Sequence, residues 1–173
     1  MSSVSIAGDT SGSILLAAPA IAGSSTVTLP TTGGTIRTTT TPGTLLQIQY
    51  GNQTTPTAIG NGAGYVATPL QATITPASTS SKIIICCSFQ WYVTGGSFDA
   101  TAAIYKNGSL LSNGVLKVQT SAMNQTVAFN YIDSPASTSA LTYRIYIQGG
   151  GPGSLTFNVD GYPTSLILQE VAG

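Results

Sequence analysis

Residues 142–148 read Thr-Tyr-Arg-Ile-Tyr-Ile-Gln, and this strict alternation is the feature that most limits how the chain can fold. In an extended strand successive side chains point to opposite faces, so Tyr143, Ile145 and Ile147 fall on one face and Arg144 and Tyr146 on the other. No stretch of the sequence shows a comparable 3.6-residue period with capping residues. Similar short runs, bounded by Gly, Pro, Asn or Ser, recur along the chain. Strands are predicted at Leu45–Tyr50, Val66–Ile74, Lys82–Val93, Ala100–Lys106, Leu110–Val118, Gln125–Ile132, Leu141–Gln148, Ser154–Val159 and Ser165–Val171. Lys106-Asn107-Gly108-Ser109 marks a hairpin, because Asn-Gly suits a type I′ turn, and Asn113-Gly114 marks a second turn. About eight or nine short strands with turns between them predict an all-β protein, a β-sandwich of jelly-roll type.

Composition supports that class. Only 6% of the residues are charged and 42% are hydrophobic, where a typical soluble protein is roughly a quarter charged. The missing charge is replaced mainly by Thr, Ser, Gly and Asn, which opposes both disorder and a long-helix protein. Five basic and five acidic residues leave no net charge, so no basic stripe is available for nucleic acid and no field for a membrane surface. The apolar stretches at 14–22 and 83–87 fall well short of the ~20 residues of a membrane span, so no membrane insertion is expected. The N-terminus lacks the basic region of a signal peptide, which predicts synthesis in a cytoplasm.

The chain changes character near Pro42-Gly43. Before it there is no aromatic residue, and the charges are Asp9 and Arg37; after it come all eight Tyr, all four Phe, the Trp and eight of the ten charges. Residues 1–43 are read as an extended β-arm and 44–173 as the jelly-roll domain. The arm's short strands have two or three aliphatic residues each, too few to offset the entropy of ordering them alone. They are expected to order by pairing with other copies or a larger assembly, with Val4, Ile6, Ile14, Leu16, Val27, Leu29 and Ile36 as the assembly candidates.

The usual catalytic chemistry is missing. There is no histidine, which removes the common general base, a common zinc and iron ligand, and every Ser-His or Cys-His pair. Cys86 and Cys87 are adjacent, so on a strand they point apart; they are read as small inert core residues rather than a disulfide. Asp9-Thr10-Ser11-Gly12 has one residue more than the Asp-Thr-Gly of aspartic proteases and is read as a turn. The carboxylates Asp9, Asp99, Asp133, Asp160 and Glu170 are scattered, against the pairing that glycoside cleavage needs. The reading is of a non-enzyme without catalytic, metal or cofactor residues. Gly149-Gly150-Gly151-Pro152-Gly153 has no following Lys or helix for phosphate binding and is read as a loop between strands, a candidate for touching a host surface. The aromatic run Phe89-Gln-Trp91-Tyr92, with Phe98, is assigned to the core, since Phe89 and Trp91 share one face of a central strand.

Several stretches resemble virion proteins of tailed bacteriophages, including those of cyanophages. They are Gly8-Asp-Thr-Ser-Gly-Ser-Ile-Leu-Leu-Ala-Ala-Pro-Ala20, Val27-Thr-Leu-Pro-Thr-Thr-Gly-Gly-Thr35, Ile74-Thr-Pro-Ala-Ser-Thr-Ser-Ser-Lys-Ile-Ile-Ile85 and the ending Ser165-Leu-Ile-Leu-Gln-Glu-Val-Ala-Gly173. The resemblance implies a fibre, spike or decoration protein of the virion with a jelly-roll head similar to tumour-necrosis-factor trimers. Its implied partners are two further copies in a homotrimer, other virion proteins and host surface polysaccharide. A short tail fibre or spike is the first reading, and a capsid decoration or cement protein or head fibre that stabilises the shell is the alternative. A secreted trimeric ligand-like module of the tumour-necrosis-factor or complement type is the weaker one.

Overall fold

The computed structural model describes residues 3–7, 13–17, 41–59, 64–151, 153–158 and 160–173; at 3–5, 7, 13–17, 95–98 and 112–123 it describes the backbone alone. Every regular element among these residues is a β-strand. The chain divides into two units, Met1–Ile36 and Arg37–Gly173.

The first unit contains an antiparallel pair, β1 (Ser3–Ala7) and β2 (Ser13–Ala17). The second contains β3 (Leu45–Gln53), β4 (Thr57–Ile59), β5 (Val66–Ile74), β6 (Lys82–Lys106), β7 (Ser109–Asp133), β8 (Leu141–Gly150), β9 (Ser154–Phe157) and β10 (Thr164–Val171). All pairings are antiparallel, and they form a sandwich of two sheets through which β6 and β7 both run. In one layer the order is β3, β10, the first half of β6 and the second half of β7. In the other it is β5, β8, the second half of β6 and the first half of β7.

The 25-residue β6 corrects the expectation of separate strands at Lys82–Val93 and Ala100–Lys106, and β7 likewise joins Leu110–Val118 to Gln125–Ile132. The physical reason is a change of layer without a break in pairing. The register of β6 on β7 slips between Val93 and Ser97, around Gly95-Gly96, where one strand bends from the first sheet into the second. The Asn113-Gly114 signal is spent in a second irregularity rather than a turn. Tyr105 faces Leu110 and Ala103 faces Val115, so β7 bulges there against β6. The true hairpin turn is Asn107-Gly108, with φ of 50° and 81° as a type I′ turn requires.

The core lies between the layers and follows the alternation. Ile83, Ile85, Phe89, Trp91 and Val93 of β6 are buried, as are Tyr143, Ile145 and Ile147 of β8 and Leu166 and Leu168 of β10. Phe89 and Trp91 meet edge to face at 5.7 Å, which places both in the core as their shared face predicts. Cys87 is buried with them while its neighbour Cys86 is half-buried on the outward side; both thiols are free. Burial pushes the Cys87 thiol well up, so that it stays protonated.

One polar cluster ties the layers together, and one polar contact mends the edge of a single layer. Asp133, at the end of β7, accepts hydrogen bonds from Lys106 Nζ at 2.8 Å and from the Tyr143 hydroxyl at 2.7 Å, both side chains of the opposite layer. Pro69 cannot donate to a ladder, and β5 accommodates it on the sandwich edge in a bulge between Ala67 and Gln71. There the Thr68 hydroxyl donates to the Ile145 carbonyl at 2.8 Å in place of a main-chain bond.

Candidate assembly face and adjoining groove

The outward face of the first layer is built by the register of four strands. Across one row stand Ile48, Gln169, Ile84 and Ile132; across the next stand Tyr50, Ile167, Cys86 and Asn130. Tyr50 is 73% exposed, Ile132 59% and Ile48 51%. Among the described residues of these strands, Lys82 at one end is the charged side chain on this side. Glu170 points inward, where its Oε2 accepts from Gln47 Nε2 at 2.6 Å and its Oε1 from the Ala77 N–H at 2.7 Å. Burial alone would raise the Glu170 carboxyl, but these hydrogen bonds outweigh it and hold the group below its ordinary value. Gln169 and Asn130 interrupt the rows, yet a monomeric protein rarely presents several large apolar side chains grouped so closely to water.

Beyond Ser88 the same face becomes polar and hollow. Ser88, Phe89, Gln90, Thr126, Tyr162 and Pro163 line an open pocket of about 460 Å3. Gln90 and Thr126 stand opposite each other in register, and Tyr162 is 57% exposed. At its side Asn124 Nδ2 donates to Asp160 Oδ2 at 3.2 Å.

The residues singled out from sequence are distributed as follows. Val4 stands opposite Leu16 and Ile6 opposite Ile14 in the β1–β2 pair, so four assembly candidates come together in two rungs, with Ile6 exposed. Val27, Leu29 and Ile36 lie outside the described residues, as does Asp9. Gly149 and Gly150 extend β8, paired with Ala100 and Asp99 of β6; Gly151 follows with φ of 132°. Pro152 is outside the described residues and Gly153 is buried. Asp99, Thr101, Gln148 and Gly150 line a second, smaller pocket of about 240 Å3. The carboxylates Asp133, Asp160 and Glu170 are each engaged in the separate hydrogen bonds already given. Among the described residues, no group of three or more His, Cys, Asp or Glu side chains is placed to hold a metal ion, and no helix is long and apolar enough to cross a membrane.

Sequence reasoning missed both the outward apolar face and the groove. The signal for the face was present in the partners of the core positions: Ile48, Tyr50, Ile84 and Ile132 are apolar where a solvated sandwich would alternate to polar residues. The groove depends on three segments distant in sequence and had no local signal.

No protein-family model matches the chain, and no curated protein matches it in sequence. Among solved structures it is similar to a chain of the IBDV viral particle, at 13% identity and a TM-score of 0.45, over 94% of this chain and 42% of that one. It is similar to the structure of infectious bursal disease virus Gt strain at 14% identity and a TM-score of 0.42, over 96% and 46% of the two chains. The corresponding values for the infectious bursal disease virus VP2 subviral particle are 14%, 0.39, 85% and 41%. The chain therefore spans less than half the length of these chains, and so distant a likeness adds nothing to what its own strands establish.

Proposed function

We infer that this chain is a structural protein of a virus particle, a homotrimeric appendage of the short tail fibre or spike kind whose work is assembly and attachment to a host surface. The observation that carries the reading is the outward face of β3, β10, β6 and β7. Tyr50, Ile48 and Ile132 expose large apolar side chains there, beside the half-buried Ile84 and Ile167. Exposing such side chains disfavours the isolated monomer, and covering each contributes on the order of 1.5–3 kcal/mol. A face whose charge is confined to Lys82 at one end fits a partner that is equally poor in charge, and this chain, with ten charged residues in 173, is such a partner for itself. The virion part of the reading is supported by the resemblance of the four stretches quoted above to tailed-phage proteins. In this reading the other virion proteins are further partners, and the protein is made in the host cytoplasm and resides in the virion.

The test is the native mass of the full chain beside that of an Ile48→Lys/Ile132→Lys variant. The parent is expected at the mass of three chains. The variant is expected as a folded monomer, because both substitutions put charge on the face and none in the core. A parent that stays monomeric across its concentration range would refute the assembly reading, and a variant that remains trimeric would move the interface elsewhere.

A further inference from the structure

The groove on the outward face has an origin in the pairing of β6. On one of its edges β6 pairs with β10 as far as Ser88 opposite Ser165, and with β9 from Trp91 opposite Phe157. Phe89 and Gln90 lie between these two registers. The Gln90 carbonyl accepts a hydrogen bond from the Asn158 N–H at 2.7 Å instead. Asn158 has φ of 55° and Gly161 of 67°, and the Gly161 N–H donates to the Asn158 carbonyl at 3.2 Å. This turn brings Tyr162 and Pro163 to the groove that Ser88, Gln90 and Thr126 also line.

The lining has a definite chemistry. It offers one exposed phenol ring, two aliphatic hydroxyls and a carboxamide, with no charged side chain among its six residues. Gln90 Oε1 is buried and finds no partner among the described residues, so a turn of that amide toward the groove gains a hydrogen bond. A phosphate-bearing ligand would need a cation here, and none lines the groove. A hydrocarbon would leave the Ser88, Gln90 and Thr126 groups unsatisfied. An acidic ligand meets the Asp160 carboxylate, held beside the groove by Asn124, which stands two residues from Thr126 on the same face. What remains is a neutral ring compound with an apolar face and a hydroxyl edge. The volume of about 460 Å3 lies within the range of small-molecule sites.

We propose that this groove is a binding site for a neutral saccharide, with Tyr162 against the C–H face of a sugar ring and Ser88, Gln90 and Thr126 meeting its hydroxyls. The site is complete within one chain. It therefore gives the host-surface attachment read above a place and a ligand class, yet stands or falls apart from the trimer.

The experiment is retention of the full-length protein on immobilised dextran, mannan and β-glucan, with alginate and hyaluronan as acidic counterparts. Binding to at least one neutral polymer is expected, displaced by its soluble oligosaccharide. Tyr162→Ala is expected to weaken it about tenfold, the equivalent of one lost aromatic contact. Gln90→Ala should weaken it similarly, while native mass and thermal midpoint stay at the parent values in at least one of the two variants. Absence of binding to every neutral polymer overturns the proposal. So does retention on the acidic polymers alone, or neutral binding undiminished in both variants. A trimer that binds no sugar removes the groove and leaves the assembly reading standing. A monomer that binds sugar does the reverse.

Discussion

Glu170 shows how a single residue can make the stability of a charge-poor domain depend on pH. Its carboxylate is buried in β10, opposite Gln47 of β3, and accepts from that amide and from the Ala77 N–H in the loop before β6. Because these donors favour the charged form, the folded-state pKa lies below the unfolded one. Such a group contributes stability above its unfolded value, about 4.3, and loses that contribution as pH falls through the lower folded value. Glu170→Gln removes the titration and leaves one donor facing an NH2 group. We expect it to cost about 1–3 kcal/mol near pH 7. Urea midpoints measured from pH 7 down to pH 3 should show the parent's advantage shrinking toward the variant only at the acid end. A constant difference over that range would show that Glu170 is not the titrating group.

At the scale of elements, the hairpin of β6 and β7 organises the domain, since its two strands run through both layers. Its turn uses positive φ at Asn107 and Gly108, and a Cβ added at Gly108 would meet no atom within 4 Å. Gly108→Ala is therefore expected to cost about 1–2 kcal/mol from backbone strain alone, read as a shift of the denaturant midpoint at unchanged slope. Gly150→Ala, in the paired end of β8 with ordinary contacts to Asp99, should cost less. Equal costs at the two positions would remove the turn argument. The same hairpin shows what was legible in the sequence. Alternation gave Val66–Ile74 to the residue, and the Asn-Gly pair gave the turn. It could not show that Lys82–Val93 and Ala100–Lys106 are one strand, because Gly-Gly reads equally as a loop and as a bend between sheets. The three-residue β4 carries too little pattern to be seen, and Asn113-Gly114 carries turn chemistry that a bulge uses instead. Gly51 illustrates a contact of tertiary origin: a Cβ there would collide with the carbonyl oxygen of Gln71, where β3 of one layer closes on β5 of the other.

For the whole molecule, the proposed trimer has two candidate interfaces, the short β1–β2 pair and the broad outward face of the sandwich. Two five-residue strands are below what stands alone in water, where a hairpin without a covering surface is marginal at best. The face built on β3, β10, β6 and β7 is four strands wide, roughly 19 Å at the usual strand spacing. In the division of labour we propose, residues 44–173 form the trimer through that face while residues 1–43 interlock it or fasten it to the rest of the particle. Removing residues 1–43 is then expected to leave a trimer of reduced thermal stability, measured by native mass and a melting curve at several protein concentrations. Loss of the trimer with the domain still folded would assign assembly to the arm, with Val4, Ile6, Ile14 and Leu16 as its contacts. Because the Gly43 N–H donates to the Ala172 carbonyl, a second deletion ending at residue 36 separates loss of an interface from damage to the domain's own edge. If the shorter deletion keeps the trimer and the longer one loses it, the cause lies in residues 37–43 and the Gly43 bond, not in the arm's strands.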